Sequence, residues 1–192
     1  MGDFVSVIVN NYPEFASGFL VTCRLVFLSF LVAMAVGTIV AAFRVAPVRP
    51  LNWLGTIYVE WFRNVPLLVL GIIFFAGVLR SGGNITEWWA GVLAIGMYTA
   101  AYIAEALRSG VFAVSKGQIE ASLSLGYSYS QTLRRVVLPQ AFRTVIPPIG
   151  SIIIAMIKNS AIIGGSLIAL PDLLQRGRRI QNNNAQTIES FF

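Results

Sequence analysis

From Leu25 to Phe43 the sequence reads LVFLSFLVAMAVGTIVAAF, without one charged residue. A run of about 20 apolar residues is what a helix needs to cross the roughly 30 Å hydrocarbon core of a bilayer. Inside that core a backbone satisfies its polar groups only within a helix or a closed barrel. This one stretch therefore commits the chain to a membrane, and the composition agrees. Of the 192 residues 56% are hydrophobic and 11% charged, and the mean hydropathy is +0.74. Asp3, Asn10, Asn11 and Glu14 precede the run where a cleaved leader would be basic, so it reads as a retained span.

Three further apolar regions follow. A Trp-containing amphipathic ramp, Leu51 to Phe62, passes through Arg63, Asn64 and Pro66 into a second span, Leu67 to Leu79. The third span starts at the interfacial pair Trp88 and Trp89 and runs to about Ala104. The fourth, Thr144 to Leu170, is interrupted by Pro147, Pro148, Gly150, the triplet Lys158-Asn159-Ser160, Gly164 and Gly165, and is expected to be a broken or water-lined helix. The expected fold is all-α, a polytopic transmembrane helical bundle with four visible spans forming a single domain, 1–192.

Basic residues orient these spans. Arg44 and Arg49 follow the first span, and Arg108, Lys116, Arg134, Arg135 and Arg143 follow the third, whereas the loop after the second has only Arg80. By the positive-inside bias the N-terminus lies outside and the long middle loop in the cytoplasm. Arg176, Arg178 and Arg179 fall on the outer side and run against that bias. The net charge of +6 fits such cytoplasmic loops better than a nucleic-acid surface.

Several chemistries are excluded. With no histidine and the single Cys23, the chain has neither a disulfide framework nor a histidine-based metal site. No G-x-x-x-x-G-K-[ST] loop cradles a nucleotide, so the chain itself does not hydrolyse ATP. Glu60 and Glu105 lie far apart, and no Ser/His/Asp set exists, so the chain reads as no enzyme.

Ionisable residues at apolar spans need partners or a function. Arg24 opens the first span, where it can reach the outer headgroups. Glu60 and Arg63 share a helix face three residues apart, which suits an ion pair or a ligand contact, and Glu105 and Arg108 repeat the spacing. Lys158 falls near the middle of the fourth span. With Asn159 and Ser160 it makes a mid-depth polar patch that either lines a solute path or forms a structural pair between helices or subunits. Glu60 and Arg63 are further candidates for that path.

Between the third and fourth spans lies a polar island, Ile119 to Phe142, reading IEASLSLGYSYSQTLRRVVLPQAF. Glu120-Ala121-Ser122, Gly126 and Val136-x-Leu138-Pro139 fit the spacing E-A-A-x3-G-x9-I-x-L-P. The flanking words are YVEWFRNVPLLVL, YTAAYIAEALRSGV, GQIEASLSLG, LPQAFRTVIPP and KNSAI. On these residues the chain resembles the permease subunits of bacterial ABC importers, in particular the polar amino acid branch, from about Phe19 to Ile168.

The resemblance implies a type I importer permease fold and places the chain in the bacterial cytoplasmic (inner) membrane. It implies a cytoplasmic coupling loop, 117–139, on which Glu120, Ala121, Ser122 and Gly126 contact a partner ATPase and Pro139 ends the element. Glu120 is expected near a helix start, favoured by the helix dipole, and Gly126 is expected to leave room for close backbone approach. ATP and Mg would be used by the ATPase subunits. The other expected partners are a second permease, identical or homologous, an extracytoplasmic solute-binding protein and membrane lipid. Family members usually continue through a fifth span, absent from this chain. A different reading of the same apolar chain is an ATP-independent channel or carrier for a small polar solute.

Overall fold

The computed structural model describes residues 7–80, 86–166 and 170–184, and the regular elements among them are all helical. After a helical turn at 7–10 come α1 (Tyr12–Val45), α2 (Arg49–Asn64), α3 (Leu67–Arg80) and α4 (Glu87–Phe112). The short α5 (Lys116–Ser124) and α6 (Tyr129–Thr132) and a π-helical turn (Leu133–Val137) lead into α7 (Leu138–Ser166) and α8 (Leu173–Asn184). Contacts divide the chain into two compact units. One comprises Met1–Val32, Pro66–Gly96 and Ala155–Phe192, the other Ala33–Val65 and Met97–Ile154.

Three helical runs among the described residues are long and apolar enough to span a membrane: Tyr12–Val45, Glu87–Phe112 and Tyr129–Gly165. The 14 residues of α3 rise only about 21 Å, so α3 counts as a span only with α2 as one broken segment. The break is local chemistry. Pro66 disfavours a helical residue before it, and Val65 is extended at φ −89°, ψ 127°.

The helices outrun their apolar stretches. α1 begins thirteen residues before Leu25, so Arg24 does not open it but projects, exposed, from its middle. Helix α4 likewise continues past Ala104 through Glu105 and Arg108 to Phe112. A helix needs only its backbone bonds and a buried stripe, and polar residues on other faces do not stop it. Most notably, α7 is not broken: it passes through Pro147 and Pro148 without interruption as far as Ser166. Of its expected extension to Leu170, residues 167–169 lie outside those described.

Small residues set the packing in each unit, as is usual where lipid supplies no hydrophobic drive between helices. In the first, a Cβ on Gly96 would lie 2.9 Å from the Val32 Cβ, so α4 and α1 are nearly in backbone contact; Leu25, Leu70, Ile95, Met156 and Ile163 of the same unit are buried. In the second, Gly37 faces the Ala100 carbonyl and Ile103 in the same way, and Gly110 of α4 is packed on Val145 and the Ala141 carbonyl of α7. The Tyr58 hydroxyl donates to the Met97 carbonyl at 2.8 Å.

Helix α8, in the first unit, is capped by its entry residue. Asp172 is buried, and its Oδ1 accepts the Gln175 N–H at 2.8 Å, an N-cap bond. Burial raises the Asp172 carboxyl above its ordinary range, with the Gln175 N–H and Arg178 opposing. A raised folded-state acid binds protons more tightly when folded, so stability falls as pH rises from the ordinary carboxylate value through the raised one. Asp172→Asn keeps the cap and is expected to abolish this pH dependence in detergent melting curves, while Asp172→Ala loses the cap at a cost of about 1 kcal/mol.

Candidate functional site

The polar island folds into a compact loop belonging wholly to the second unit. Its first helix, α5, ends in a paired closure: the Gly126 N–H donates to the Leu123 carbonyl at 2.9 Å and the Tyr127 N–H to the Ser122 carbonyl at 3.2 Å. This Schellman pattern requires a left-handed residue at its hinge, and Gly126 has φ +84°. Nothing lies within 4 Å of where a Gly126 Cβ would stand. Within this chain the glycine is thus required by its backbone angle and not by close approach.

The next turn starts at once. Ser128 and Gln131 form a reciprocal capping box: the Gln131 N–H donates to Ser128 Oγ, and the Ser128 N–H to Gln131 Oε1 at 2.9 Å. Ser122 is turned inward and buried. Its Oγ donates to the Ile119 carbonyl at 2.9 Å and shares a hydrogen bond with Thr132 Oγ1 at 2.8 Å, stitching α5 to α6. The Gln140 amide donates to Gln118, tying α5 to the start of α7. Beneath them Val114, Val137 and Ala141 are buried, with Val111 and Ile119 packed on them.

Of the five predicted loop residues, Glu120, Ala121 and Gly126 are exposed on α5 and its end, while Ser122 is interior. Glu120 is the fifth residue of α5, past the first turn, so the dipole gives it little. Pro139 does not end the element. It is the second residue of α7, in a helical run continuous from Tyr129. In a regular α-helix the Pro139 ring would strike the Arg135 carbonyl, and the π turn at 133–137, closed by the Leu138 N–H on the Leu133 carbonyl, is the local widening next to it.

The same unit contains a cavity of about 450 Å³ lined by Arg63, Tyr102, Glu105, Ser109, Thr144 and Pro148, among others. The Arg63 guanidinium lies 5.5 Å from the Tyr102 ring centroid, and the Tyr98 and Tyr102 hydroxyls are 2.9 Å apart. Arg63 does not pair with Glu60, which instead faces the Asn64 amide at 3.4 Å and is absent from the cavity lining. Glu105 does pair with Arg108, at 2.6 Å, but also with Arg44, which the sequence had placed among loop charges. No spacing signal joins residues 61 positions apart. Tyr98 and Tyr102 were legible in principle, since YTAAY puts both on the face that carries Glu105 one turn later.

Lys158, Asn159 and Ser160 do not form one patch. At about 100° per residue they diverge around α7: Lys158 is exposed, Asn159 is half-buried, and Ser160 is buried with its Oγ donating to the Ile157 carbonyl at 2.7 Å.

Residues 33–191, most of the chain, match the family described as the binding-protein-dependent transport system inner membrane component. The chain belongs to that family. The probable glutamine ABC transporter permease GlnM of Bacillus subtilis (strain 168) is 38% identical over 187 residues, covering 97% of this chain and 86% of that protein. The arginine transport system permease ArtQ of the same organism is 32% identical, over 89% of this chain and 78% of its own length. A crystal structure of an amino acid ABC transporter with histidines superposes at TM-score 0.89 with 34% identity, covering 98% of this chain and 86% of that one. Members of this family are non-catalytic permease subunits, and membership sets the ATP-independent channel reading aside.

Proposed function

We propose that this chain is the permease subunit of an ATP-driven importer of polar amino acids. Loop 117–139 faces the cytoplasm and docks an ABC ATPase that uses ATP and Mg, and the N-terminus lies outside. A second permease, identical or homologous, completes the path, and an extracytoplasmic solute-binding protein delivers the solute. The loop carries this reading: α5 is braced from within by Ser122 and Thr132 and presents Glu120, Ala121 and the 80% exposed Leu125 outward. An apolar residue so exposed suits a protein partner. Relatives named for glutamine and arginine transport support the solute class.

The cavity around Arg63 and Tyr102, within the second unit, is our candidate for the solute path, and Lys158 of α7, in the first unit, is a separate candidate. Both cations are exposed and unpaired among the described residues, so either can meet a carboxylate. Co-reconstitution with the ATPase and the binding protein in liposomes tests the whole. We expect uptake of labelled glutamine, arginine or glutamate that stops when ATP is withheld. Uptake that persists without ATP would overturn it.

A further inference from the structure

Glu105 sits where the end of α1 meets the end of α4, within one unit. Its Oε2 pairs with Nη1 of Arg44 in the last turn of α1, and its Oε1 with Nη2 of Arg108 at 2.6 Å. Arg44 is only 11% exposed, Glu105 26% and Arg108 32%, so water screens the Arg44 pair least. Both carboxylate oxygens are engaged, and removing the carboxylate would leave two guanidinium groups together without a counter-charge. The group is held from both sides. The Asn52 amide donates to the Arg44 carbonyl, and Gly55 of α2 packs against the Arg44 side chain. Beyond Glu105, Gly110 grips α7, and Val111 and Val114 share an apolar cluster with Ile119 of α5.

A displacement of α5 therefore presses on the last turns of α4. The only charged joint among the described residues from there to α1 is Glu105. We propose that Glu105 is a positioning residue for energy coupling: it transmits the movement of the docking loop to α1 through Arg44. This rests on the reading of loop 117–139 as the ATPase dock.

The test uses the assembled transporter in liposomes. Arg44→Gln, which breaks the joint from outside the cavity lining, is expected to retain the ATPase and basal ATP hydrolysis while lowering labelled glutamine taken up per ATP about tenfold, the size of an ordinary coupling between sites. The charge-swapped double variant, Arg44→Glu with Glu105→Arg, is expected to recover most of that ratio. An unchanged ratio in Arg44→Gln overturns the proposal. So does loss of assembly in either variant, which would assign the group to folding, and so does a swapped transporter that assembles without recovering. Failure of the unsubstituted chain to show ATP-driven uptake would instead count against the transport reading.

Discussion

Gly126→Val is expected to abolish ATP-coupled uptake while the protein still inserts in the membrane, whereas Gly126→Asn is expected to keep most of it. The difference follows from φ +84° at a position where nothing lies within 4 Å of an added Cβ. Within the chain both side chains fit, so bulk does not separate them. A left-handed angle costs a non-glycine residue about 1–2 kcal/mol, more for a β-branched one, while asparagine enters that region readily. If valine forces the angle negative, the bonds from Gly126 to Leu123 and from Tyr127 to Ser122 are lost together. Ser128 then no longer stands where its capping box starts α6, and Leu125 leaves its place on the face we propose as the dock. A cost of that size lowers the population of the competent loop about tenfold when the loop has no stability to spare. Co-purification of the ATPase and uptake per ATP measure it. Equal loss in the two variants would move the cause from the backbone angle to crowding at the partner's surface.

Gly126 also shows what was legible in the sequence and what was not. Its place in the E-A-A-x3-G spacing marked a segment that folds into the short helices and π turn between α4 and α7. The spacing did not show why a glycine is needed there, because a backbone angle leaves no trace in residue identity beyond the glycine itself. Ser122 was misread for a related reason. A small polar residue in a docking motif suggests contact, but which side of α5 it faces is set by Thr132, ten residues on. The apolar runs located the membrane helices well and their ends poorly. Charge and proline mark where the bilayer's apolar demand stops, and a helix is free to continue, as α1 does ahead of Leu25 and α7 does through Pro147 and Pro148. Arg44 was beyond reach, because its pairing with Glu105 depends on how α1 packs on α4 at Gly37.

Lys158→Met is expected to lower uptake of labelled glutamine at least about tenfold without loss of the ATPase or of the second permease. The argument starts from the stripe that Lys158 occupies. Ile154 and Ile162, one turn before and one turn after, are 58% and 42% exposed, and Lys158 has no ion-pair partner among the described residues. An ammonium left in hydrocarbon costs up to about 2.5–3.5 kcal/mol on insertion scales, the full figure applying at the centre of a span, and Lys158 stands eight residues before the end of α7 at Ser166. Such a charge is retained when something outside the chain compensates it. A carboxylate-bearing solute does so during transport, and an acidic residue of the second permease does so at all times. Methionine keeps most of the length of the side chain and removes the ammonium, which separates the two. If the solute is the partner, assembly is untouched and Lys158→Arg keeps measurable uptake, because a guanidinium also binds carboxylate. If the second permease is the partner, its co-purification falls in Lys158→Met before transport is ever measured, and Lys158 leaves the solute path.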